Sequence, residues 1–189
     1  KHMPITIEKT FIEDLVIIHP HIYTDFRGTY KKIYHKDSFE KFGVPINYSE
    51  TSDIVSKKGA IRGLHYQDID SQAKLLHVIK GRIYDVALDL RTHSKTFGEH
   101  FEILLDSKDD LALFIPEGFA HGFLSLDDDS IFSYQCTGRY YPESCGGILW
   151  NDPLLNIHWP LNLVEQTLVT KKDENWPTFN QYLEKKGLK

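Results

Sequence analysis

The stretch from Ala60 to Gln67, AIRGLHYQ, sets an arginine and a histidine three residues apart in a run that otherwise reads as a buried strand. A guanidinium is a permanent, planar cation whose fork of donors matches phosphate or carboxylate oxygens. An imidazole gains and loses its proton near neutral pH and can serve as a base. On residue types alone, Arg62 and His65 fit two readings: hydrogen-bonded polar groups at the end of a sheet, or a charge clamp and a base facing a ligand. Other polar residues with a structural as well as a chemical reading stand in similar apolar runs. His121 lies within FIPEGFAHGF, Lys74 opens KLLHVIK, Tyr134 lies within SIFSYQC, and Asp173 sits in KKDE, which also reads as a solvated turn.

The elements that would hold these residues read as strands. Between residues 48 and 138 short runs of Ile, Val, Leu, Phe and Tyr alternate with turn signals, the punctuation of an all-β chain. In RIYDVALDL, Tyr84, Val86, Leu88 and Leu90 fall on one face and Asp85, Ala87 and Asp89 on the other, the period-two pattern of a half-buried strand. Gly81 predicts a hairpin between that strand and KLLHVIK. GEHFEILL, LALFI and SIFSYQC continue the series, with DSKDD and LDDDS as turns. So many short strands favour closure into a barrel or jelly roll, which removes exposed edges. Helix is predicted in HKDSFEKFG, with Asp37 or Ser38 as N-cap and Gly43 as the stop, and in TFNQYLEKK.

The chain has 189 residues, 41% of them hydrophobic, with eleven Phe and ten Tyr, as expected of one strand-rich globular domain over residues 4–189. The opening Lys1-His2-Met3 reads as a cloning scar. A net charge of −5 argues against a nucleic-acid or anionic-membrane surface, so neither partner is expected. No apolar run approaches the roughly 20 residues that cross a bilayer, and no signal-peptide core opens the chain, which points to the cytoplasm. Cys136 and Cys145 form no C-x-x-C motif and read as ordinary reduced thiols.

Pro116, Gly118 and His121 fit the P-x-G-x-x-H pattern of the second cupin motif, and the chain resembles that superfamily. Metal-binding cupins carry an H-x-H pair in the first motif. Here His65 is followed by Gln67, so no metal is expected. DFRGTY, KKGAIRGLHYQ, AKLLHVIKGRIYDVALDLR, TFGEHF, IPEGFAHGFLSL, YQCTGRYYPE, WNDPLLNIHWPL and KKDENWP, in that order from about residue 23 to 177, resemble the dTDP-4-dehydrorhamnose 3,5-epimerase family. That resemblance implies a cupin-type jelly roll, a homodimer with exchanged strands, a nucleotide-diphosphate-sugar substrate and no cofactor. It also implies epimerisation at carbon 3, carbon 5 or both of a 4-keto-6-deoxyhexose through an enediolate, in deoxysugar and surface-polysaccharide biosynthesis. By motif position His65 is the base, Tyr134 the acid on the opposite face, Asp173 the partner of the imidazolium and Lys74 the cation at the ketone oxygen. Arg27 and Arg62 hold the diphosphate, Tyr140 stacks on the nucleoside and His121 lines the pocket near the sugar.

The chain departs from the family in two places. A Q-D-N-H-S-like run, whose Gln and Asn help hold the thymidine, is YSETSD here, which leaves CDP or another nucleotide open. The lysine that usually follows the tyrosine is Gln135. Three further readings stay open: a 3,4-keto-isomerase on the same kind of substrate, a metal-dependent cupin using His65 and His121, and a sugar-nucleotide binding protein with no catalysis.

Overall fold

The computed structural model describes residues 4–44 and 47–189; the suspected scar at residues 1–3 lies outside them. The chain folds as a jelly roll of two facing antiparallel sheets. One contains β1 (Thr6–Lys9), β2 (Val16–His19), β5 (Tyr48–Ser56), β7 (Lys74–Lys80), β10 (Ala112–Ile115) and β12 (Ser130–Thr137), in the order β1-β2-β10-β7-β12-β5. The other contains β6 (Ile61–Gln67), β8 (Arg82–Asp89), β9 (His100–Asp106), β11 (Phe119–Ser125) and β13 (Cys145–Gly147), in the order β13-β6-β11-β8-β9. A separate hairpin pairs β3 (His21–Asp25) with β4 (Gly28–Lys32).

Alternating side chains explain the core. Leu76, Val78, Leu113 and Phe132 from the six-stranded sheet meet Ile83, Ala87, Phe119 and Phe123 from the other, all of them buried. Each such large side chain contributes about 2 kcal/mol on leaving water. Both outer faces are covered as well. Helix α1 (Lys36–Lys41) places Phe39 against Val16, Leu75 and Phe114, while Phe179 and Tyr182 of α3 (Phe179–Lys185) cover Leu64, Val86 and Leu88. Asp152 of the WNDP run anchors this second cover, because its Oδ2 accepts the backbone N–H of Phe179 at 2.8 Å.

Three local expectations need correction. β7 and β8 do not form a hairpin: one residue links them, too few for a two-residue hairpin turn. Gly81, at φ +76°, instead turns the chain from one sheet into the other. β8 is buried on both faces, since α3 covers one side and the barrel interior holds the other, with Asp85 and Asp89 fully buried. The α1 N-cap is His35 and makes no side-chain cap bond, although Gly43 follows the helix at φ +68° as expected of a stop. The second predicted helix is α3, with Thr178 and Gln181 forming a reciprocal capping box.

Candidate active site

Sequence spacing alone separates Arg62 from His65, because residues three apart on a regular strand face opposite sides. A register shift resolves this. His65 pairs with His121 of β11 and Arg62 with Phe123, so three steps along β6 match two along β11. The extra residue is the bulge that puts both side chains on one face. Phe123 belongs to the interior core, so that face is the inward one. Gly63 makes the close approach possible: at φ +127°, a Cβ there would meet the Gly122 Cα at 2.6 Å.

From the facing sheet, β12 sends Tyr134 inward opposite Leu76 of β7 and Ser52 of β5. One pleat further, Cys136 lies between Lys74 and Glu50. His65, Lys74, Tyr134 and Tyr140 thereby line one cavity of about 280 Å³, together with Glu50, Gln67, Gln72, Cys145, Lys172 and Trp176. His65 and Tyr134 reach it from opposite sheets, hence from opposite walls.

Asp173 is what fixes the imidazole. It sits in α2 (Lys171–Glu174), a single turn started by Thr170, whose Oγ1 accepts the Asp173 N–H at 3.2 Å. This is not a solvated turn, for Asp173 is only 4% exposed. Its Oδ1 lies 2.7 Å from His65 Nε2 and accepts the Trp176 Nε1–H at 2.9 Å, while Oδ2 accepts the Gly63 N–H at 3.2 Å. Burial raises the carboxyl's pKa, but these bonds, led by His65, outweigh it and hold Asp173 below the usual carboxylate range. Because an ionised carboxylate only accepts, Nε2 carries the shared hydrogen, and the tautomer this selects for a neutral imidazole has its lone pair on Nδ1.

Burial also drives the other titrating groups. It pushes the Lys74 ammonium down, against the pull of Cys136, Asp85, Cys145 and Glu50. It pushes the Tyr134 phenol up, helped by Cys136 and opposed by the Ser52 hydroxyl. The Lys74 Nζ stands 5.8 Å from the centre of the Tyr134 ring, within cation–π range. The Cys136 thiol is raised to about 11 by burial, which makes it inert, and both cysteines are free.

Arg27, Arg62 and His121 do not line this cavity. Arg27 lies at the tip of the β3–β4 hairpin, its side chain exposed and paired with Asp25 at 2.7 Å. Arg62 is exposed further along β6, with Nε 3.4 Å from Ser56 Oγ. His121 is buried beside His65 and bonded through Nε2 to Asp85 Oδ2 at 2.7 Å. Gln67, standing where a metal cupin has its second histidine, is fully engaged: the carbonyls of Ile69, Asp70 and Arg139, at 2.9, 2.9 and 2.7 Å from Nε2, share its two hydrogens, and Oε1 accepts the Tyr141 N–H. Among the described residues no three His, Cys, Asp or Glu side chains are grouped to hold a metal.

The family model for dTDP-4-dehydrorhamnose 3,5-epimerase matches residues 9–181. The chain belongs to that family. It is 42% identical over 168 residues to the dTDP-4-dehydrorhamnose 3,5-epimerase of Methanothermobacter thermautotrophicus, covering 89% of this chain and 91% of the relative. The dTDP-6-deoxy-D-glucose-3,5-epimerase of Legionella pneumophila, solved with dTDP-4-keto-L-rhamnose, shares the fold at a TM-score of 0.88 and 38% identity over 93% of each chain. A 3'-monoepimerase from Streptomyces bikiniensis, solved with dTDP-quinovose, matches at 0.87 and 33% identity, over 96% of this chain and 91% of that one. The epimerase family thus includes relatives described as acting at two carbons and at one. Sequence reading missed Glu50, Gln72, Lys172 and Trp176 as cavity residues; the signals available were the YSETSD departure and the neighbours of Asp173 in KKDENWP.

Proposed function

We propose that this chain inverts one or both carbons flanking the ketone of a nucleotide-diphosphate 4-keto-6-deoxyhexose. His65 Nδ1 removes the proton next to the carbonyl from one face of the ring. Negative charge then develops on the ketone oxygen, where the Lys74 ammonium stabilises it, and Tyr134 delivers a proton to the other face. The observation that carries this reading is the opposition of an Asp173-backed imidazole and a protonated phenol across one cavity, with a buried ammonium beside the phenol. A keto-isomerase has no need of that opposed phenol.

The cavity is sized for the sugar, so the nucleotide extends past its rim, where Tyr140 is 62% exposed and offers a stacking face. Arg62 and His121 sit on the same inward face for the diphosphate and the sugar. Arg27 reaches the site of a second copy: the β3–β4 hairpin stands apart from both sheets, with Phe26 97% exposed at its tip, and a dimer exchanging this arm places the guanidinium on the partner's substrate. No helix among the described residues is long and apolar enough to cross a membrane, in keeping with a cytoplasmic role.

Deuterium wash-in tests the reading. In heavy water, the protein incubated with TDP-, CDP-, UDP- or GDP-linked 4-keto-6-deoxyglucose is expected to place deuterium at carbon 3, carbon 5 or both with at least one nucleotide. No exchange with any of the four overturns it.

A further inference from the structure

Trp176 meets the candidate dyad at two points. Its Nε1–H donates at 2.9 Å to Asp173 Oδ1, the same oxygen that faces His65 Nε2 at 2.7 Å. Its ring stands edge-on to the His65 imidazole, with centres 6.1 Å apart and planes at 73°, and lines the cavity. The indole is itself locked in place. The Lys172 Nζ lies over it at 5.4 Å, and the bare Gly147, which pairs with His65 across β13 and β6, leaves the space it fills: a Cβ there would meet the Trp176 ring at 2.3 Å.

We infer that Trp176 is the positioning residue of the His65–Asp173 pair: its N–H fixes the carboxylate rotamer and takes up part of the charge on Oδ1, and its ring edge fixes the plane of the imidazole. This inference rests on the reading of His65 as the base. Two consequences follow from sharing one oxygen. The carboxylate is pinned without help from the substrate, so the imidazole is oriented before substrate arrives. The N–H also competes with Nε2–H for the same electron density, so Asp173 stabilises the imidazolium less than a carboxylate without that second donor would.

The other groups that set the charge around His65 are Asp173 and Lys172 from α2, Lys74 from β7, Tyr134 from β12, Glu50 from β5, Cys145 from β13 and His121, paired with Asp85, on β11 and β8. Trp176→Phe replaces none of these side chains; it removes the donor to Asp173 Oδ1 and keeps an aromatic ring beneath the Lys172 ammonium. For this variant kcat is expected to fall about ten-fold, the worth of one hydrogen bond to a charged group, with KM within two-fold of wild type. The acid limb of the kcat/KM profile is expected to move to higher pH, because the unshared carboxylate holds the imidazolium more tightly. A merely structural tryptophan would leave that limb in place. Should Trp176→Phe not fold, as judged by its thermal transition, Trp176→Leu, which likewise has no donor, carries the same expectation for the acid limb. An unshifted limb with wild-type kcat in the folded variant overturns the inference, provided His65→Asn is inactive in the same assay; an active His65→Asn instead overturns the assignment of the base.

Discussion

At the scale of the residue, burial acts on Lys74 and Tyr134 in opposite directions on the pKa scale for one reason, that a low-dielectric wall penalises charge. The phenol is therefore held protonated, ready to donate, while the ammonium lacks full solvation and gains most when an oxyanion forms beside it. His65 differs, being half-exposed with its countercharge behind it on Asp173. That these residue types gather at one site was legible from the motifs that carry them, and the roles proposed for them come from the same motifs. What the motifs do not encode is direction. Nothing in KKDENWP says that Trp176 turns its N–H onto the carboxylate three residues before it, and nothing in LHYQ says that Gln67 is consumed by three carbonyls and one amide N–H.

At the scale of the element, the strands between residues 48 and 138 were legible because apolar runs alternate there with turn signals, whereas β1–β4 and β13 fall outside that reading and the α3 capping box emerged only with the structure. Sheet membership was not legible. Gly81 signals a turn equally well whether the next strand stays in the sheet or crosses to the other, and only long-range pairing decides. The bulge that unites Arg62 with His65 is likewise a property of β6 and β11 together. Asp173 ties the single turn of α2 to β6, taking donors from Gly63 and His65 of that strand as well as from Trp176. Removing it by Asp173→Ala leaves those donors without their acceptor and is expected to cost about 3 kcal/mol near pH 7 in urea unfolding. Because the folded carboxyl titrates below its ordinary value near 3.9, its contribution is complete above that value and is lost as pH falls through the depressed one. The stability gap between wild type and variant should therefore narrow toward pH 3; a gap that stays constant with pH contradicts the clamp.

At the scale of the whole molecule, the two-sheet architecture brings the walls of the cavity together, yet both expected diphosphate cations, Arg27 and Arg62, stay outside its lining, Arg27 on a separate hairpin. Arg27 is exposed on a hairpin that packs in neither sheet. If it serves the partner's cavity, Arg27→Ala and His65→Asn should each be nearly inactive as homodimers. Their mixed dimer should regain up to half the wild-type activity, because one of its two sites then holds an intact His65 and an intact Arg27. Co-expression with two affinity tags and assay of the purified hybrid checks this; a hybrid as inactive as its parents places Arg27 in its own subunit's site or in none.

The central claim is that one imidazole and one phenol work on opposite faces of a single sugar ring. The most direct test follows deuterium and stereochemistry together, by NMR in heavy water, for wild type, His65→Asn and Tyr134→Phe. The account predicts exchange with inversion in wild type, neither in His65→Asn, and wash-in with the original configuration retained in Tyr134→Phe. Inversion at the wild-type rate without the phenol, or exchange without the imidazole, would contradict it.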